Sequence, residues 1–327
     1  MECNANGKES VGLDVLNYDL EIEFSEFIST KAGVKGLVDS GIVKVPRFFL
    51  SPAGVNYLEQ TSSNGIVNQV PVINLEGYGG KRRRTIVNEV LQASRTWGMF
   101  QVFNHGVPSA VMKSMLESVC GFHEQSNELK KDYYSHDSTR KVWYYATIQP
   151  AHKTAVWKDT IACQFENMTE DFEALPLICR EPMFDYVKHI VELKGRLCKL
   201  LSEAVGLEGD LLELMECMEP RKDQWIHVPP MEGALIVIIG DMLQLISNDL
   251  LRSAEHRVLA NWKGPRLSAA CFFYPNGRNK DRNYGPIEEL LSDKNPALYK
   301  EITHAEYLKH HGVHGSCGSK ALPHIKL

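Results

Sequence analysis

Arg266 and Ser268 stand two apart in Arg266-Leu-Ser-Ala-Ala-Cys-Phe-Phe273, a run that reads as a strand. The side-chain period of a strand is two, so both project from one face. A guanidinium fork beside a hydroxyl is a receptor for a carboxylate, because arginine can meet both oxygens. His256-Arg-Val-Leu-Ala260 reads as the preceding strand, joined through Asn261-Trp-Lys-Gly-Pro265, a glycine-containing loop of hairpin length. Folding about Trp262 sets His256 opposite Arg266 and Ser268. An imidazole beside a carboxylate receptor suits a metal chelated by a dicarboxylic ligand, although Arg and His on strands are more often structural.

A metal needs further ligands. Among the 12 histidines, the only His-x-[Asp/Glu] is His304-Ala305-Glu306. It falls in a helical run, where positions two apart point about 200° around the axis and do not converge. His136-Asp137 and Glu255-His256 are adjacent pairs, which face opposite sides of a strand. His310, His311 and His314 sit in a polar tail and read as solvated. Eight cysteines are scattered with no Cys-x-x-Cys, which argues against a zinc knuckle or redox dithiol and fits reduced thiols in the cytoplasm.

The elements that must position these residues fall into stretches of different character. Residues 1–69 read as a polar extension, with one helix over Lys31–Val38 closed by Ser40-Gly41. Val70–Leu75 is a short β run, Ile86 to Trp97 follows helical spacing, Gly98 stops that helix, and Met99–Phe103 alternates like a strand. Further helices open at Pro108-Ser109 and run over about 183–205, ending at Gly206. Gly233–Gly240 reads as a buried strand ahead of the hairpin, and Pro286–Leu327 as short helices and loops. Three domains follow: an extension over 1–69, a helical domain over 70–207, and a β domain with its tail over 208–327. Helices first and strands later predict an α+β fold.

Composition narrows the function classes. Lys+Arg 36 against Asp+Glu 41 gives a net charge of −5, with no electrostatic pull toward nucleic acid or anionic membrane. The basic run Lys81-Arg82-Arg83-Arg84 reads as a solvated surface. No aliphatic run approaches the ~18 residues of a spanning helix, and the first ten residues lack the apolar core of a signal peptide. A monomer acting on a small molecule is expected.

Trp97-Gly-Met-Phe-Gln-Val-Phe-Asn-His-Gly-Val-Pro108 resembles the N-terminal signature of the plant 2-oxoglutarate/Fe(II)-dependent dioxygenases, the isopenicillin-N-synthase-like group. Lys31–Ile42, Gly240-Asp-Met-Leu-Gln-Leu-Ile-Ser-Asn248, Glu255-His-Arg-Val-Leu-Ala260 and Tyr284-Gly-Pro-Ile-Glu-Glu-Leu-Leu291 are similar to the subgroup of ACC-oxidase homologues and desacetoxyvindoline 4-hydroxylase-like enzymes. The resemblance runs in ordered blocks from about Phe27 to Leu327. It implies a double-stranded β-helix (jelly-roll) core with flanking helices, and Fe(II) in a triad of two histidines and one carboxylate that leaves room for 2-oxoglutarate and O2. His256 matches the distal histidine ligand, and Arg266 and Ser268 match the Arg-x-Ser pair that holds the far carboxylate of 2-oxoglutarate. His105 falls in the family's structural Asn-His-Gly segment and is not a ligand.

The same resemblance exposes a departure. The family's remaining ligands come from a His-x-Asp motif expected between Leu207 and Trp225-Ile-His-Val-Pro-Pro230, yet Cys217-Met-Glu-Pro220 runs straight into Arg221-Lys-Asp-Gln-Trp225. A block of roughly forty residues, enough for three to four strands, is missing from the pattern, so the jelly roll is expected to be incomplete. His227, where relatives carry an acidic residue, is a poor substitute ligand. Lys158 replaces an Arg, Ile238 an Asn, and Tyr145–Gln149 a Ser-Asn stretch that helps shape the relatives' pocket. The expectation is an Fe(II)/2-oxoglutarate hydroxylase of small plant specialised metabolites that has lost two of three iron ligands. The alternatives are a non-catalytic 2-oxoglutarate binder and a mis-spliced product without a stable fold.

Overall fold

The computed structural model describes residues 20–50, 69–149, 154–165, 171–207, 228–256, 258, 264–273, 281–314 and 321–327. Along the chain run α1 (Leu20–Ser29), α2 (Gly33–Asp39), β1 (Val72–Asn74), α3 (Arg83–Thr96), β2 (Met99–Phe103), α4 (Ser109–Glu124) and α5 (Asn127–Lys130). There follow β3 (Val142–Gln149), β4 (Thr154–Cys163), α6 (Leu177–Ala204), β5 (Leu235–Ile238), α7 (Asp241–Ile246), β6 (Asn283–Tyr284), β7 (Ile302–Thr303) and α8 (His304–His314). The chain is α+β, as expected. Among the described residues no helix is long and apolar enough to cross a membrane.

Contacts divide the chain into two units, residues 1–53, 126–136 and 143–161 against 54–125, 137–142 and 162–327, with no boundary at 69–70 or 207–208. In the first unit, β3 and β4 form a two-stranded sheet. Along β3, Tyr144 and Ala146 are buried while Trp143, Tyr145 and Thr147 are half-buried, the alternation of a one-sided strand. Phe27, Val34, Phe48, Ala146 and Ala155 make its core. Phe49 closes it, packing edge-on to Trp157 at 4.8 Å between ring centroids.

The second unit is built on β2. It pairs parallel with β1 (Val72 opposite Gln101) and antiparallel with β5 (Met99 opposite Ile238), in the order β1-β2-β5. The parallel pair needs a crossover, which α3 supplies by burying Ile86, Val87, Val90 and Ala93. Gly98 ends α3 at φ +68, and its N–H reaches back to Ala93 O at 3.1 Å. Helices α4 and α6 pack together, with Phe122, Met115 and Val119 on one and Met183, Tyr186, Ile190 and Leu193 on the other in the buried set.

Several expectations change. Helix α1 lies in the stretch read as a polar extension, where Phe24, Phe27 and Ile28 turn to one side to meet the aromatic core. Helix α6 begins at Leu177 rather than near 183, with Pro182 inside it. The sheet of β3 and β4 breaks the order of helices first and strands later. β5 is four residues long and only half-buried, with Ile236 48% exposed, rather than a buried strand over 233–240. Residues 252–256 and 264–273 form no strand: a strand needs a neighbouring strand to meet its N–H and C=O groups in a ladder, and among the described residues no strand pairs with either stretch. The turn about Trp262 lies outside the described residues, as do His227 and the junction between Leu207 and Trp225.

Candidate functional site

The segment carrying His256 is delivered by an unusual turn. After α7, Asn248 and Asp249 both take left-handed backbone, at φ +51 and +66. Such conformations cost least for Asn and Asp among non-glycine residues, and the surroundings over-determine them. Asn248 donates to Asn295 Oδ1 at 3.1 Å and Pro296 O at 2.9 Å, and its Oδ1 accepts from Leu298 N–H at 2.8 Å. Asp249 accepts from Gln244 Nε2 at 2.7 Å, Lys326 Nζ at 2.9 Å and the Tyr299 hydroxyl. Burial alone would raise the Asp249 carboxyl, but the bonds from Tyr299, Lys326 and Gln244 outweigh it and hold the group below the ordinary carboxylate range. Burial also pushes the Tyr299 hydroxyl upward, and the bond to Asp249 adds to it.

From this turn the chain runs back along α3. Arg252 N–H donates to Ser94 O at 2.9 Å, and a Cβ on Gly98 would stand 2.5 Å from Arg252 O. Ser253 and Ala254 are buried there, and two residues later His256 is exposed. Its Nδ1 lies 3.1 Å from Ala254 O. Arg266 and Ser268 meet although their segment forms no strand: Arg266 Nη1 donates to Ser268 Oγ at 3.1 Å. Both are exposed, so the pair stands formed but open to water.

The other histidines have local roles. His105 is buried; its Nδ1 accepts from Val107 N–H at 3.1 Å, so Nε2 carries the proton toward Gly233 O at 2.9 Å. Burial and, after it, the Arg196 charge push the imidazole below its usual range despite the Gly233 bond, the state of a neutral structural histidine. His304 and Glu306 diverge as helical geometry requires: Glu306 turns back to accept from Thr303 N–H and Oγ1, each at 2.9 Å, while His304 is buried. His136 packs edge-on to Tyr134 at 5.5 Å, and Asp137 accepts from Thr139. Lys158 is exposed and Tyr145 lies stacked near Trp143. Sequence reasoning missed Asp249 as the hub of the turn, although Asn-Asp directly after an apolar helix is a signal for left-handed backbone.

Two family models match the chain: the N-terminal region of the non-haem dioxygenase in morphine synthesis over residues 70–179, and the 2OG-Fe(II) oxygenase superfamily over residues 204–275. The 1-aminocyclopropane-1-carboxylate oxidase homolog 9 of Arabidopsis thaliana is 37% identical, covering 87% of this chain and 91% of the relative. The chain belongs to the plant 2OG-Fe(II) oxygenases. Homolog 1 of the same plant is 36% identical over 92% of this oxygenase-family chain and 95% of the relative. The crystal structure of JOX2 in complex with 2OG, Fe and JA is similar at TM-score 0.73 and 26% identity, covering 90% of this chain and 97% of that one. The rice dioxygenase for auxin oxidation shares the fold at TM-score 0.63 and 19% identity, covering 79% and 100%. The family fold is a jelly roll, and its members use Fe(II) and 2-oxoglutarate on small molecules.

The match with homolog 9 spans 335 positions but takes in 87% of this chain's 327 residues, so about fifty of those positions face no residue here. The match with homolog 1, 347 positions against 92%, leaves a similar number. The family implies a resident iron, and the side chains of the described residues do not fit one. Among the described residues no three His, Cys, Asp or Glu side chains converge as a chelate requires, and His256 is exposed.

Proposed function

We propose that this chain is an oxygenase-family protein without a working iron site, and that it neither oxidises a plant metabolite nor turns over 2-oxoglutarate. In this reading the helical part over 70–207 is intact, and the jelly roll over 208–327 has lost the strands that carry the His-x-Asp pair. The carrying observation is that His256, the position matching a family ligand, is exposed and belongs to no group of three His, Cys, Asp or Glu side chains that could hold a metal among the described residues. The positions of its relatives that have no counterpart here support the same reading.

In this reading Arg266 and Ser268, which are hydrogen-bonded to each other, are the remaining contact for a carboxylate. Hydrogen bonds from a charged donor contribute about 1.5–3 kcal/mol, less where water screens them. A dissociation constant of 1 mM already needs about 4.1 kcal/mol. Without a metal to hold its keto-acid end, 2-oxoglutarate therefore binds more weakly than that.

The test is anaerobic titration of the purified protein with Fe(II) and 2-oxoglutarate, followed by assay for succinate after O2 is admitted. The expected result is no visible charge-transfer band, no stoichiometric iron and no succinate above a protein-free control. Inserting the His-x-Asp block of a close relative between Leu207 and Trp225 is expected to restore both signals. Turnover by the unmodified chain that His256→Ala abolishes is the outcome that sinks the proposal.

A further inference from the structure

Residues 321–327 lie against the stretch 295–300, and that stretch lies against the turn at Asn248-Asp249. Lys300 N–H donates to Ile325 O and Leu327 N–H to Leu298 O, each at 3.0 Å, and Tyr299 and Lys326 form an antiparallel bridge between them. Ala321, Leu322 and Ile325 are buried, so apolar contact holds the segment as well. Lys326 reaches past its neighbour. Its Nζ stands 5.1 Å from the centre of the Tyr299 ring and 2.9 Å from Asp249 Oδ2. Gln244 of α7 carries the contact onward: its Nε2 donates to Asp249 Oδ1 at 2.7 Å, and its Oε1 accepts from Ser253 N–H at 2.9 Å. A carboxamide has a donor end and an acceptor end, and a half turn about its last bond exchanges them. An ionised carboxylate only accepts, so Asp249 turns the Nε2 end toward itself and leaves Oε1 facing Ser253. In the reversed orientation two oxygens would face each other, and an NH2 would meet the Ser253 N–H. The Ser253 amide is tied in this way, through two side chains, to a lysine far along the chain.

We propose that residues 321–327 are a strap whose docking, through Lys326 and Asp249, fixes the Gln244 carboxamide and with it the backbone that leads to His256. While the strap is docked, Ser253 and Ala254 stay buried and Arg252 N–H keeps its bond to Ser94 O. Once it is released, Asp249 loses its cation and Gln244 is able to turn, so the buried Ser253 N–H loses its acceptor. The left-handed backbone at Asn248 and Asp249 persists only while its surroundings impose it, and it relaxes at the same step. His256 follows Ser253 by three residues and moves with it. The strap is therefore a conformational device, which acts on the segment carrying His256 from outside that segment. Its parts open together as one local unit, below the energy of global unfolding.

The experiment is hydrogen exchange of the full chain, read at the amides of Arg252 and Ser253 and, as a control, at Val90, which is buried within α3. Lys326→Met keeps an apolar stem over Tyr299 and removes the charge, whereas Lys326→Arg keeps the charge. The expected result is exchange at Ser253 about fivefold faster in Lys326→Met, the scale of a partly exposed ion pair, with Val90 unchanged and Lys326→Arg like the parent. Gln244→Met cuts the relay. It is expected to speed Ser253 by itself and to leave less than about a twofold further effect of Lys326→Met. An unchanged Ser253 amide in Lys326→Met overturns the proposal. So does equal acceleration at Val90, which would mean general destabilisation, and so do effects of the two variants that multiply in full. None of these outcomes depends on iron.

Discussion

Asp159 offers the sharpest test of how the first unit is held. Helix α2 has only seven residues, and its own N-cap, Ala32, makes no side-chain cap bond. The cap comes instead from 125 residues away: Asp159 Oδ1 accepts from Val34 N–H and Oδ2 from Lys35 N–H, each at 2.8 Å. The Tyr144 hydroxyl donates to Oδ2 at 3.0 Å, and burial together with this carboxylate pushes the phenol well above its usual range. Asp159→Ala strips two of the orphan donors at the start of α2 and leaves Val34, which is buried, without water as a substitute. Loss of a cap costs about 1 kcal/mol and up to 2, and the second charged bond adds about 1 more. Tyr144 keeps Ala32 O at 3.2 Å as an acceptor, so no further penalty arises from it. The expected destabilisation is thus about 2–3 kcal/mol, and about half that for Asp159→Asn, which retains one acceptor oxygen without the charge. Urea unfolding followed by tryptophan fluorescence includes a signal from this core, because Trp157, one of five tryptophans, packs on Phe49 there. A shift below ~0.5 kcal/mol for the alanine variant would refute the claim that Asp159 anchors α2, since surface substitutions routinely fall within that range.

Two further outcomes follow from the second unit. Gly98→Ala combines a φ of +68 with a Cβ that would stand 2.5 Å from Arg252 O and 2.9 Å from Ala254 N, both backbone. A loss of about 2–4 kcal/mol is expected, together with faster hydrogen exchange over 252–254, and a stability within ~0.5 kcal/mol of the parent would show that the close approach is not there. Burial lowers His105, His136 and His304 below the ordinary value of 6.5. The unfolded chain therefore takes up these protons first as pH falls, so stability present above pH 6.5 is expected to decline below it, and a urea midpoint that holds or rises from pH 7.5 to 5.5 contradicts this. His105→Gln should flatten that slope.

Much of the local structure was legible because it is written in neighbouring residues. The apolar spacing of Ile86, Val87 and Val90 marked α3, glycine at 98 marked its end, and the run Met99–Phe103 has the bounds of β2, although Met99 to Val102 are all buried instead of alternating. The helical position of His304 and Glu306 kept them apart, whereas Arg266 and Ser268 meet through a side-chain hydrogen bond without the strand that their spacing suggested. The alternation of β3 was also present to be read. What depended on the tertiary structure was every feature whose partner lies far along the chain. An uncapped helix start is completed by Asp159, and the left-handed Asn248-Asp249 turn is held by residues 295–299 and Lys326. The run Leu235–Ile238 is apolar enough for a buried strand, yet burial is conferred by neighbours and not by the strand itself. With β2 on one side and no described strand on the other, the same residues make a half-exposed edge, and His256 emerges into solvent beyond it. Periodicity is a property of a segment, whereas closure of a sheet and convergence of ligands are properties of the set of segments that surround it.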